Sequence, residues 1–268
     1  MNFSIVVGTN ACNAKCPFCI SRMTGNHCDA KVNWRRFEVA KKLAKNCDTV
    51  LLTGVGEPTL YPGLIDEYLE RLQEFPIVEL QTNGTRIGEQ IGYKTLGRWQ
   101  DHGLELISIS ITHYDPLQNA RLMGISPLYN FWSVVNRCNV LGFSVRLNCT
   151  LLKDGIDTVE KIQSLIDSCR ETGVAQLTIR EVAVPMNTEG PIAQYCRSQY
   201  AGVLAAFEPN CGVLLRELPH GGRIYDVDGQ NVCISNCMTT DPKETRNLIF
   251  FPDGAIRYDW QHKGARIL

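Results

Sequence analysis

The chain has 268 residues, 44% of them hydrophobic and 21% charged, and carries a formal net charge of −1 at pH 7. That composition can build one large α/β domain, alone or with an extension. With no long basic run it leaves no footprint for long nucleic acid, and with no stretch of about 18 apolar residues it predicts no membrane span. The opening Met1-Asn2-Phe3-Ser4 lacks the charged-then-apolar pattern of a secretory signal, so a cytoplasmic protein is expected. The 12 cysteines are then read as thiols rather than as a disulfide scaffold.

The first apolar run (Phe3, Ile5, Val6, Val7) predicts a β-strand, and a cysteine loop follows it directly. Cys12, Cys16 and Cys19 are spaced C-x3-C-x2-C. Three thiolates on one short loop suit three irons of a cubane cluster and leave the fourth iron open. Structural zinc is the competing reading, although zinc wants four ligands, usually in two separate pairs. A redox thiol loop is another. Cys28 trails the triplet at too great a distance to belong to it, and no role is assigned to it.

Strand and helix patterns then alternate to about residue 182. Thr49–Thr53, Ile77–Gln81, Leu104–Thr112, Phe143–Leu151 and Val174–Val182 read as strands. Asn33 is placed to cap a helix with Phe37, Ala40, Leu43 and Cys47 on one face; Leu64, Ile65, Tyr68, Leu69 and Leu72 form the next stripe. The glycine-rich 88–102 segment has a weaker pattern. Helices over 130–141 and 157–172 complete the set, the second with Val159, Ile162, Leu165, Ile166 and Cys169 at helical spacing. Cys47, Cys138, Cys149 and Cys169 fall singly in such patterns and read as buried residues. Six β/α units in series imply a parallel sheet. Several strands alternate apolar and polar residues, as in Ile107/Ile109/Ile111 against Ser108/Ser110/Thr112, and Val145/Leu147/Cys149 against Arg146/Asn148/Thr150. A doubly wound sheet would be apolar on both faces. One polar face instead predicts a barrel or barrel-like arc with a wet interior.

The C-x3-C-x2-C loop with Phe18 just before its last cysteine resembles the signature of the radical S-adenosylmethionine (SAM) family. The resemblance implies a (β/α)6 partial TIM-type barrel over residues 1–182, a 4Fe–4S cluster on Cys12, Cys16 and Cys19, and SAM chelated to the open iron through its amino and carboxylate groups. It also implies cleavage of SAM to a 5′-deoxyadenosyl radical and an electron donor such as flavodoxin or ferredoxin. Phe18 would pack on the adenine. Thr53-Gly54-Val55-Gly56-Glu57-Pro58 resembles the family's G-G-E-P motif with Val55 replacing one glycine, and assigns Gly56 and Glu57 to SAM, the carboxylate to its ammonium. Thr82-Asn83-Gly84 resembles a T-N-G tripeptide of several branches. Ser110, Asn148 and Val182 complete the implied cofactor set. Arg146 and Arg180 are expected to face a carboxylate of SAM or of a substrate.

Residues 183–268 lose the β/α rhythm and predict an α+β extension covering the open side of the barrel. A helix is expected over 192–207, then hairpins pairing 223–227 with 231–234 and 247–251 with 255–260. Cys233 and Cys237, with Cys196 and Cys211 upstream and an Asp253-Gly254 turn downstream, resemble the C-terminal layout of the branch containing the GTP 3′,8-cyclase of molybdopterin biosynthesis. That branch carries a second cluster. Here Arg257-Tyr258 stands where its last cysteine would fall, so a second cluster at Cys211, Cys233 and Cys237 and a cluster-free region both remain open. A small nucleotide-like substrate is expected, with Arg146, Arg180, Arg223, Arg257 and Tyr258 as candidate contacts. Peptide modification and a non-catalytic zinc protein are the alternatives. His27, His113, His220 and His262 read as surface loop residues.

Overall fold

The computed structural model describes residues 1–25, 28, 31–185, 187–218, 221–235, 247–260 and 264–268. In chain order the elements are β1 (Asn2–Val6), α1 (Ile20–Thr24), α2 (Trp34–Leu43), β2 (Thr49–Thr53), α3 (Pro62–Arg71), β3 (Ile77–Thr82), α4 (Thr85–Glu89), α5 (Tyr93–Asp101), β4 (Leu104–Ile111), α6 (Pro116–Met123), α7 (Phe131–Val140), β5 (Ser144–Leu151), α8 (Val159–Glu171) and β6 (Gln176–Glu181). They continue with α9 (Pro191–Ser198), α10 (Leu204–Phe207), β7 (Val213–Glu217), β8 (Arg223–Val227), β9 (Gln230–Ile234), β10 (Asn247–Phe250) and β11 (Ile256–Arg257).

Strands β1 to β6 lie side by side and parallel, in the order of the sequence. This is the expected α/β arc of a partial barrel. The strands after residue 183 join both edges of the same sheet: β10 runs parallel to β1, and β9 parallel to β6. Antiparallel β11 lies beyond β10, and antiparallel β8 and β7 beyond β9. The hairpins expected from the Asp228-Gly229 and Asp253-Gly254 turns are therefore present, each docked on one end of the arc.

The two faces differ as the alternation predicts. Phe3, Ile5, Leu52, Leu80, Ile107, Ile109, Leu147, Cys149 and Ile179 point to the helices and form the main core with Phe37, Tyr68, Trp99 and Phe131. The other face carries Ser4, Glu79, Gln81, Ser108, Arg146, Asn148 and Thr178. Burial of the first set supplies the stability. In the second set Gln81 and Arg146 bond Glu79, and Asn148 bonds Ser108, which offsets the cost of burying them.

Helix details follow local chemistry. The Asn33 side chain accepts from Arg36 N–H and caps α2. Its buried stripe is Phe37, Ala40, Ala44 and Cys47, while Leu43 is exposed, because the true period runs i, i+3, i+7, i+10. Val159, at the first turn of α8, is likewise exposed. The 88–102 region resolves into α4 and α5, and α6 is a helix that the hydrophobic pattern did not reveal. The single helix expected over 192–207 is broken into α9 and α10. Gln199 at its middle bonds the chain at Asp154 through both ends of its amide, and Gly202 at φ +67° turns the backbone out of the helix.

Candidate functional site

The cysteine loop leaves the C-terminal end of β1 and is clamped from two sides. On the first side stands the turn after β2. A Cβ on Gly56 would lie 2.1 Å from Ala11 O and 2.5 Å from Thr9 O, so only glycine lets the loop backbone settle there. The next residue ties it down, since Glu57 N–H donates to Ala11 O at 2.9 Å. On the other side is the C-terminal end of α6. Lys15 N–H donates to Met123 O at 3.1 Å, the Cys16 thiol reaches the same carbonyl at 3.4 Å, and Gly124 sits against the Lys15 backbone. Arg22 Nη2 donates to Cys16 O at 2.7 Å, and Cys19 opens α1 as its N-cap.

Beneath the loop lies a buried polar cluster. Glu57 is 2% exposed. Its Oε1 accepts from Thr59 N–H, from the Thr59 hydroxyl and from the Thr82 hydroxyl at 3.0, 2.6 and 2.5 Å, and its Oε2 accepts from Asn83 N–H at 2.8 Å. The carboxylate assigned from sequence to the SAM ammonium is thus engaged by four donors of its own chain. Asn83 in turn bonds Asn13, Thr85 and Cys12.

The three thiols feel one another. Burial pushes the Cys16 thiol up to about 12, and Cys19 and Cys12 add to the shift. Burial also raises Cys12, with Glu57 and Cys19 contributing. A bound metal competes with these protons. Among the described residues no three His, Cys, Asp or Glu side chains converge as a single metal ion requires. A cubane asks for a different arrangement, one thiolate at each of three separate irons, and three neighbouring thiols on one clamped loop fit it.

The other expected cofactor residues line the same end of the sheet. Phe18 packs on the apolar group of Leu122, Leu152, Val182 and Cys196, which brings together Phe18 and Val182. Asn148 Nδ2 donates to Ser108 Oγ at 3.0 Å, and half-buried Ser110 sits opposite Asn148 in register.

The arginines divide. Arg146 Nη1 donates to Glu79 Oε2 at 2.6 Å, and Gln81 holds the other oxygen of that carboxylate. Arg146 is thereby committed within the inner face, below Asn148. Half-buried Arg180, on β6 opposite Thr150, makes no hydrogen bond or ion pair among the described residues. The Arg257 guanidinium stacks 4.3 Å over the Phe251 ring, and Tyr258 is 50% exposed. Arg223 pairs with Glu208.

Among the described residues Cys211 and Cys233 do not come together. Cys211 packs in the main core with Tyr225 and Val232, whereas Cys233, between Val232 and Ile234 on β9, faces the other way. Cys237 lies outside the described residues, as do His27, His220 and His262. His113 differs from the surface reading: it is 9% exposed, its Nδ1 accepts from Asp115 N–H, and burial lowers its pKa. Sequence reasoning missed Asn13, Thr59, Thr85 and Glu79. Of these only Glu79, a charge inside an apolar strand, carried a signal.

Comparison with known proteins defines the class. The radical SAM superfamily model matches residues 6–197, and the chain belongs to that superfamily of enzymes. The family implies a 4Fe–4S cluster and SAM. Among curated proteins, the GTP 3′,8-cyclase of Vibrio vulnificus is 29% identical over 154 residues, 54% of this chain and 44% of the relative. The GTP 3′,8-cyclase of Klebsiella pneumoniae is 23% identical over 238 residues, 75% and 70% of the two. The chain thus spans less than half the length of the Vibrio relative. Among solved structures, Streptococcus suis SuiB bound to S-adenosylmethionine aligns at TM-score 0.62 and 17% identity, covering 97% of this chain and 60% of SuiB. Methylornithine synthase (PylB) aligns at TM-score 0.57 and 14% identity, covering 91% and 73%. Those two likenesses are of fold. Among the described residues no helix is long and apolar enough to cross a membrane.

Proposed function

We propose that this chain is a radical SAM enzyme that abstracts a hydrogen atom from a small, nucleotide-like substrate held over the C-terminal end of the parallel sheet. The loop of three thiols, clamped at that end within the superfamily segment, carries the reading. Cys12, Cys16 and Cys19 would hold the cluster, which with SAM supplies reductive cleavage to a 5′-deoxyadenosyl radical when bound. The chain's own groups bind and orient. Phe18 and Val182 offer an apolar wall for adenine, Ser110 and Asn148 offer polar atoms for ribose and methionine, and Thr82 and Asn83 hold the Glu57 carboxylate beneath the loop. Gly56 admits close backbone approach. Glu57 acts on SAM indirectly, by fixing Asn83 and the loop. Of the two strand arginines Arg180 is the one available to meet an anionic group, because Arg146 is neutralised by Glu79. Arg257 and Tyr258 belong to the extension that covers the open side. The electron comes from a donor of the flavodoxin or ferredoxin type.

The nucleotide preference is supported by the likeness to GTP 3′,8-cyclases. The reading keeps to one cluster, because Cys211 and Cys233 face opposite ways. A peptide substrate is the second reading, favoured by β7. That strand exposes Val213, Leu214 and Leu215 and, among the described residues, is the edge of the sheet, where a strand could be added. Anaerobic reconstitution tests the class: a brown protein that forms 5′-deoxyadenosine from SAM under reductant supports it, and a colourless zinc protein without turnover overturns it. Deuterium transfer into 5′-deoxyadenosine from labelled nucleotides, against labelled peptides, decides the substrate.

A further inference from the structure

Cys12 is the exposed member of the thiol triplet, yet two N–H groups of the chain address its sulfur. Ala14 N–H lies 3.4 Å from Sγ, as neighbours in a loop often do. The second donor is Asn83 Nδ2, 3.9 Å away and brought from the turn after β3, 71 positions along the chain. Its orientation follows from counting protons. Asn83 Oδ1 accepts from Thr85 N–H at 3.0 Å and from the Thr85 hydroxyl at 2.8 Å. With the oxygen so held, the amide NH2 must face the cysteine loop. One of its protons goes to Asn13 Oδ1 at 2.8 Å, and the other is directed at Cys12. Asn13 Nδ2 closes the ring on Thr85 Oγ1 at 2.5 Å. The Asn83 backbone is anchored separately by Glu57 Oε2. Glu57, Thr82, Asn83 and Thr85 are all under 10% exposed, so water does not compete for the bonds that anchor the Asn83 backbone and its Oδ1.

We propose that Asn83 is a positioning residue that sets the reduction potential of the cluster by donating an N–H to the Cys12 thiolate, with Asn13 and Thr85 holding its amide in that orientation. A donor draws negative charge from the thiolate sulfur. It therefore favours the reduced cluster, which carries one more negative charge, and moves the potential upward. The inference rests on the reading of Cys12 as a cluster ligand. It gives Asn83 a role toward the cluster rather than toward SAM.

The test is an EPR-monitored redox titration of the reconstituted full chain without SAM. Asn83→Asp keeps the shape and the oxygen that Thr85 N–H needs, but replaces the NH2 with a negative oxygen beside the sulfur. Asn83→Ala removes the amide altogether. Thr85→Val frees the amide while leaving the atoms around Cys12 in place. With about four irons retained, the midpoint should shift to more negative potential in all three, most for Asn83→Asp and least for Thr85→Val. A loaded Asn83→Asp protein with the wild-type midpoint overturns the proposal. So do variants that are folded by circular dichroism yet bind no iron, since Asn83 then serves assembly. Wild-type protein that binds no iron fails earlier, at the iron assay, and that result rejects the cluster reading itself.

Discussion

Cys12, Cys16 and Cys19 are exposed or half-buried on a loop that the tips of β2 and α6 hold from both sides, whereas Cys211 and Cys233 are 5% and 6% exposed and packed as side chains of the fold. Each group lies near a sheet edge, and cysteine spacing alone treats both as candidate ligand sets. The difference is in the backbone. At the first site glycine and buried hydrogen bonds shape a loop on which the three thiols stay outside the apolar core. At the second, the Cys211 side chain is packed into the main core ahead of β7, while Cys233 sits on β9 between two core residues and faces the other way.

The comparison breaks or holds on the thiols first. Cys12→Ala, Cys16→Ala and Cys19→Ala should each abolish iron loading and SAM cleavage, measured by iron assay and 5′-deoxyadenosine formation, because the loop has no spare ligand. A charge remote from the loop supplies the control. Arg146→Leu leaves the Glu79 carboxylate buried without its partner and should cost about 3 kcal/mol, the low end for a broken buried pair because Arg146 is partly exposed. The Glu79→Leu/Arg146→Leu double variant should recover most of that in a denaturant melt, and both should still load iron.

Two substitutions sharpen what makes the loop a site. Gly56→Ala forces a methyl group into backbone carbonyls that have nowhere to go. It should cost about 2–3 kcal/mol and lower iron loading well below wild type. Glu57→Ala strips the acceptor from buried donors of Thr59, Thr82 and Asn83, at about 1–3 kcal/mol, and should reduce both iron content and SAM affinity by equilibrium binding. SAM affinity lost with a full cluster would instead return Glu57 to direct contact with SAM. The smallest effect belongs to Cys233→Ala: about 1 kcal/mol in stability and an unchanged iron count. A fall in iron would revive a second cluster.

The strands of the arc and their polar inner face were legible because each rests on a period of two within one short segment, as in Leu104–Ile111 and Ser144–Leu151. The thiol loop was legible because its three cysteines lie within eight residues of one another. Helix α6 was hidden by its short length, and the break between α9 and α10 by its cause, a side-chain bond from Gln199 to a distant loop. The joining of 183–268 to both edges of one sheet was equally hidden, since strand propensity does not name a partner.

By itself, then, the order of residues determined the α/β class, the wet face, the thiol triplet and the superfamily, all of which depend on neighbours in sequence. Only the tertiary structure decided that Arg146 belongs to Glu79, that Glu57 serves the loop, that Cys211 and Cys233 face apart and that Asn83 addresses Cys12. Each of these is a relation across tens of residues, or a side chain's choice of face, decided by burial and hydrogen-bond satisfaction rather than by spacing.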